Sequence, residues 1–259
     1  MSPADLRDLL EAARHAAHRA GIAILEVYNH IDAPAVRQKA DASPVTLADE
    51  RAEAIIVEIL AAEAPGIPVV AEETCEREGV PGSCPSCVWL VDPLDGTKEF
   101  LRRNGEFTVN IALLDGDRPV LGVVHAPALA ETFAAAGAGT ATRQRGDAAP
   151  RSIAARPVPR RGAVVVHSRS HENHEKLSAY LATLDAPTTR VAGSALKFGL
   201  IAAGEADLYP RFSPTMEWDT AAGQAVLEAA GGTVTTPEGA PFRYGKPGCR
   251  NAGFFARGR

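Results

Sequence analysis

Apolar residues recur at helical spacing from the start of the chain. Leu6, Leu9, Leu10, Ala13, Ala17, Ala20, Ile24 and Tyr28 fall on one face, which predicts a long amphipathic first helix. A second stripe, Ala52, Ile55, Ile56, Ile59 and Leu60, follows Asp49, and Pro65-Gly66 ends it by breaking both periodicity and backbone bonding. Val69-Val70-Ala71 and residues 88–91 are short and continuously apolar, as strands buried on both faces are. Across residues 107–136 apolar runs alternate with turn signals. Asp115-Gly116-Asp117 predicts a hairpin, and Pro127 separates two further strands. The first half therefore reads as helices on a largely antiparallel meander. Residues 142–161 carry several Arg and Pro with little periodicity, and mark the approach to a domain boundary. Beyond it, strands at 163–166, 188–191 and 206–209 alternate with helices at 171–184, 194–203 and 219–230, an α/β pattern. The expectation is an α+β domain over residues 1–155 and an α/β domain over residues 156–259.

Composition narrows the class without choosing the function. A chain of 259 residues with 46% hydrophobic positions can bury a large core. The net charge of −5 offers no basic field for a nucleic-acid polymer or an anionic membrane. No apolar run is long enough to span a bilayer. The N-terminus lacks the charged-then-apolar order of a secretory signal, so a cytoplasmic protein is expected. Cys84-Pro85-Ser86-Cys87 has the spacing of half a zinc site or of a redox pair, with Cys75 nearby and Cys249 far off. No second such pair and no histidine at finger spacing accompanies it. Reduced thiols on a loop are the simpler expectation. Oxidation there is the alternative, since this loop joins Glu72 to the strand leading into Asp92.

The chemistry concentrates in the run from Trp89 to Phe100, Trp-Leu-Val-Asp-Pro-Leu-Asp-Gly-Thr-Lys-Glu-Phe. A buried strand delivers Asp92, Pro93 interrupts the sheet ladder for want of an N–H, and Asp95 follows on a tight turn. Two carboxylates fixed this close repel each other unless a cation lies between them. Carboxylate oxygens are the hard ligands that Mg²⁺ prefers, completed by water and substrate phosphate. Glu72-Glu73 ends the strand at residues 69–71, and Asp219 opens the helical run at 219–230. Alone, Asp219 reads as a helix N-cap and the glutamates as solvated loop acids. Together, three junctions each place an acid where open α/β sheets bind ligands.

These segments resemble the lithium-sensitive, metal-dependent phosphomonoesterase family that contains inositol monophosphatases and bisphosphate nucleotidases. The resemblance runs through Asp41-Ala42-Ser43-Pro44-Val45-Thr46-Leu47-Ala48-Asp49, Ala71-Glu72-Glu73, the run from Asp92 to Phe100, and Trp218-Asp219-Thr220-Ala221-Ala222-Gly223. Lys98-Glu99-Phe100, where inositol monophosphatases usually carry Thr-Asn-Phe, is similar to the CysQ-type 3′(2′),5′-bisphosphate nucleotidases. So are Gly193-Ser194-Ala195-Leu196-Lys197-Phe198 and Ala206-Asp207-Leu208-Tyr209-Pro210-Arg211. The resemblance implies a layered αβαβα sandwich with the site between its halves. It implies Glu72, Asp92, Asp95 and Asp219 as side-chain ligands of two or three Mg²⁺ ions, with Leu94 lending its carbonyl and Asp92 bridging. Thr97 and Asp49 are implied as the pair that handles the proton of the attacking water. Gly96 and Thr97 N–H groups suit phosphate oxygens.

The resemblance implies a phosphomonoesterase that removes the 3′-phosphate of 3′-phosphoadenosine 5′-phosphate in sulfate assimilation, as a monomer or homodimer. An inositol or sugar phosphatase is the alternative. A nucleotide-binding sensor gated by Cys84 and Cys87 is a second. Lys98, Ser194, Lys197 and Arg211 are candidates for the distal phosphate and sugar, because hydroxyl and cationic donors suit such oxygens. Arg169 and His171 are further candidates, while Trp218 reads as core packing.

Overall fold

In the computed structural model the described residues are 2–30, 36–38, 44–82, 85–169 and 173–259. Helix α1 (Pro3–Asn29) begins with a capping box in which Ser2 and Asp5 satisfy each other's backbone N–H groups. A strand pair, β1 (Val36–Gln38) and β2 (Pro44–Thr46), leads into α2 (Leu47–Glu63). Then follow β3 (Val69–Ala71), α3 (Glu72–Glu78), β4 (Cys87–Asp95) and α4 (Thr97–Leu101). The meander comes next: β5 (Thr108–Asp115), β6 (Arg118–Ala126), β7 (Glu131–Ala136), β8 (Thr142–Arg145) and β9 (Arg151–Ser152). The second half contains β10 (Val164–His167), α5 (His174–Leu181), β11 (Thr188–Val191), α6 (Leu196–Ala202) and β12 (Leu208–Arg211). It closes with β13 (Thr215–Met216), α7 (Ala221–Ala229), β14 (Thr233–Thr235), β15 (Arg250–Asn251) and β16 (Phe254–Arg257).

Strands β3 to β9 form one sheet in chain order, parallel only between β3 and β4. Helices α1 and α2 cover one face, and α6 and α7 fill the space between this sheet and a second one ordered β11-β10-β12-β16-β14. Helix α5 closes the far side, with Leu177 and Tyr180 against Val165, Leu208 and Phe212. The five layers are the expected αβαβα sandwich. Alternation explains why residues 88–91 are apolar without interruption. Trp89 and Val91 face Ile24 and Ile56, whereas Val88 and Leu90 face the cluster containing Phe198 and Leu227. The layers meet closely where β6 crosses α7: a Cβ at Gly122 would overlap the Ala222 carbonyl.

Three features depart from the expected elements. Glu72-Glu73 opens a helix, α3, rather than a loop. Its EETCERE sequence offers only one apolar residue, Cys75, and so no periodicity to read. The meander continues through β8 and β9 into residues read as the approach to a domain boundary. Both strands are polar, and Arg143 and Arg145 hold the edge through Glu131 and Glu205. The second half is not purely alternating, because β16 inserts antiparallel between β12 and β14.

Candidate metal and phosphate site

The ladder between β4 and β5 runs in register to Asp92↔Asn110, breaks, and resumes at Asp95↔Thr108. Pro93 supplies no N–H for the gap, and Asp92 Oδ1 instead accepts the Leu94 N–H at 3.1 Å. Gly96 then turns the chain at φ +93° and stands at the N-cap of α4, with Thr97 its first residue. Strand β3 ends beside β4, so Glu72, opening α3, emerges at the same sheet edge as Asp92. Asp219 comes from the other half. It does not cap α7, since Thr220 holds that position, and its Oδ2 accepts the Met216 N–H at 2.8 Å. Glu72, Asp92, Leu94, Asp95, Thr97 and Asp219 all line one cavity of about 430 Å³. Asp49 is not in its lining; it is buried in the first turn of α2, 2% exposed.

The electrostatics are those of crowded anions. Burial, and then the charges of Asp95 and Glu72, hold the Asp219 carboxyl well above the usual carboxylate range. Burial also raises Asp95, against the opposing pull of Lys197. Among the described residues no three acidic, histidine or cysteine side chains converge on a single point as a cation cage. The donor set nevertheless fits a hard divalent cation: carboxylates lining one cavity, two of them crowded and desolvated, each stabilised by charge neutralisation.

Basic groups share the cavity. Lys197 is 2% exposed, donates to the carbonyls of Ala192 (3.1 Å) and Ser194 (2.7 Å), and is pushed down to about 8 by burial. Ser194 Oγ lies 2.7 Å from the Asp95 carbonyl and 2.9 Å from that of Glu106, and donates its one proton to either. Arg211 is buried and donates to Ser168 Oγ at 3.1 Å. Lys98 lines the cavity as well, and so does Arg250 of β15, which sequence reasoning missed. Arg250 lies 31 residues after Asp219 in an irregular tail, and only the pairing of β13 with β15 brings it here. Asn110 was also missed; its Nδ2 donates to Asp95 Oδ2 at 3.3 Å, a relation visible only in the strand register. Arg169 is outside the lining and pairs with Glu106 at 3.0 Å and Glu99 at 3.4 Å. Trp218 is buried in the core. His171 and Cys84 lie outside the described residues.

Gly96 is one of the places where the two halves touch. A Cβ there would overlap Ser194 Oγ, at a φ that L residues rarely adopt. Gly96→Ala is expected to cost about 3 kcal/mol from backbone strain and overlap together, lowering the melting temperature by roughly 5–10 °C. Thermal melts of Gly96→Ala and of the Gly96→Ala/Ser194→Ala double variant check this. Removing the hydroxyl should return part of the loss, and strictly additive losses would count against the overlap.

Cys75, Cys87 and Cys249 form no disulfide. Burial, with Glu53 and Glu72 nearby, raises Cys75 to about 11, and burial raises Cys87. Such shifts favour the thiol over the nucleophilic thiolate.

A sequence model of the inositol monophosphatase family matches residues 5–256. The chain belongs to the inositol monophosphatase family. That places it among metal-dependent phosphatases. Within the family it is 46% identical over 236 residues to the 3′(2′),5′-bisphosphate nucleotidase CysQ of Shigella flexneri, covering 91% of this chain and 94% of that protein. The crystal structure of CysQ from Bacteroides thetaiotaomicron superposes with a TM-score of 0.80 at 38% identity, covering 96% of both chains. An inositol monophosphatase from Anabaena superposes at 0.76 with 29% identity, over 97% of this chain and 91% of that one. No described helix is long and apolar enough to cross a membrane.

Proposed function

We propose that this member of the inositol monophosphatase family hydrolyses the 3′-phosphate of 3′-phosphoadenosine 5′-phosphate, giving AMP and phosphate, with the corresponding sulfated nucleotide as a second substrate. One observation carries the reading: six acids from three separated segments, Glu72, Asp92, Asp95 and Asp219 with Glu76 and Glu99, share a cavity with Lys98, Lys197, Arg211 and Arg250. A cavity of acids alone suits a cation, whereas acids ringed by cations suit a cation together with a multiply charged phosphate ester. The CysQ relatives, named as bisphosphate nucleotidases, support the choice of substrate.

In this reading residues 1–155 supply most of the metal-holding groups, and residues 156–259 supply Asp219 and most of the cations. Glu72, Asp92, Asp95, Asp219 and the Leu94 carbonyl would hold two or three Mg²⁺ ions. Bound there, such ions would supply charge neutralisation of the phosphate, acidification of water, and stabilisation of the leaving oxygen. The protein's own part is placement. Thr97 Oγ1 accepts the proton side of the attacking water and relays its own proton toward Asp49. The Gly96 and Thr97 N–H groups face phosphate oxygens. The water oxygen bonds to phosphorus as the bond to the 3′-oxygen breaks, and that oxygen leaves with a proton from solvent. Lys98, Ser194, Lys197 and Arg211 receive the remainder of the nucleotide.

Phosphate release is to be measured from the bisphosphate nucleotide, myo-inositol 1-phosphate and sugar phosphates, with and without Mg²⁺. Highest kcat/KM on the bisphosphate nucleotide, only with Mg²⁺, is the expected outcome. Faster turnover of the inositol ester would transfer the protein to the inositol monophosphatase branch. Arg211→Met should raise KM for the bisphosphate by about tenfold or more, the value of a charge-assisted hydrogen bond. KM for adenosine 3′-monophosphate should move little; equal losses on both would remove Arg211 from the distal phosphate.

A further inference from the structure

Glu53 does not line the cavity and belongs to no motif singled out in the sequence, yet the residue is buried, 4% exposed. It projects from α2 one turn after Asp49, so the two buried acids lie on one face of that helix. Both of its oxygens are engaged by α3. Oε2 accepts the Glu73 N–H at 2.7 Å, and Oε1 accepts the Thr74 hydroxyl at 2.6 Å. A helix needs acceptors for its first N–H groups. The residue at the N-cap of α3, Ala71, has no side chain to provide one. Glu53 does that work from another helix, 20 residues back in the chain.

The first residue of the turn so fixed is Glu72. Helix α3 is only seven residues long and carries little apolar surface of its own. A helix this short is marginal without external support. The direction in which Glu72 leaves the sheet edge therefore depends on what anchors the next two residues, and Glu53 grips both. From this we infer that Glu53 is a positioning residue for the divalent-cation site, holding Glu72 in ligating register by capping α3 in trans. The inference rests on the metal reading given above and adds a residue to it.

The test is Mg²⁺ titration of the full-length protein without substrate, followed by thermal melting or calorimetry, in wild type, Glu53→Gln, Thr74→Val and Thr74→Ser. Glu53→Gln presents an amide N–H₂ to a donor and breaks half of the cap. Its Mg²⁺ midpoint should rise by about tenfold, as for other groups that orient metal ligands, with kcat at saturating Mg²⁺ largely kept. Thr74→Val should shift the midpoint the same way by a smaller factor, and Thr74→Ser, which keeps the hydroxyl, should not. Thr74→Val carries the test if the Glu53 variant does not fold. A lower melting temperature in EDTA with an unchanged Mg²⁺ midpoint in both variants would overturn the positioning role and leave the metal reading intact. No Mg²⁺ response in wild type would overturn the metal reading and this role together.

Discussion

Replacing Asp95 by Asn is expected to lower kcat/KM for the bisphosphate nucleotide by about a thousandfold, or ~4 kcal/mol at the transition state, even at saturating Mg²⁺. The side chain keeps its volume and one carbonyl oxygen, so the loss comes from charge. Asp95 is one of six acids lining the cavity, flanked by Asn110 and faced by Lys197. With Asn in its place, a cation there would lose an anionic ligand, and the phosphate would lose part of the positive charge so held against it. The same substitution should leave the melting temperature in EDTA unchanged or higher, because burial disfavours the Asp95 anion in the absence of a cation. Phosphate-release kinetics and a thermal melt on one preparation separate the cases. Near-normal turnover would remove Asp95 from the cation set. Equal collapse of turnover and stability would make it a structural residue.

What could be read from the sequence and what could not divide along physical lines. Helices α1 and α2 and the strands β4 to β7 were legible because each buries a long apolar stripe or a two-sided apolar run. Glu72, Asp92, Asp95 and Asp219 were legible as a set because each follows a strand or precedes a helix, and they do share a cavity. Polar elements were not legible. Strand β8 is held by Arg143 and Arg145 against Glu131 and against Glu205, the latter 62 and 60 residues away, and β9 pairs on β8. Arg250 and Asn110 reach the site only through strand pairing. Helix α3 is the clearest case, since its cap is a side chain from α2. Ser194 and Lys197 were read as donors to substrate. The structure also gives them internal partners, the carbonyls of Asp95, Ala192 and Ser194, so they brace the wall that they line.

Removing divalent cations with EDTA should abolish phosphate release, and it should also change the sign of the protein's pH response. Asp95 and Asp219 have folded-state values raised above the ordinary 3.8. Between that value and their raised ones the folded state binds more protons than the unfolded state. Stability from these two groups is therefore complete at low pH and is lost as pH rises through the raised values. A bound cation reverses this, since it takes the deprotonated carboxylates and competes with protons. Melting curves with and without Mg²⁺ should thus nearly coincide near pH 4 and separate steadily toward neutrality. Titrations elsewhere in the molecule cancel in the difference. With Mg²⁺ at a hundred times its Kd the gap amounts to about 2.7 kcal/mol, roughly 5–10 °C for a chain of this size. Lys197, lowered to about 8 from 10.5, contributes in the opposite sense only at alkaline pH, where the unfolded state binds the extra proton, so the comparison belongs below pH 8. A gap that stays constant from pH 4 to pH 7.5 would mean that the cation does not bind at Asp95 and Asp219.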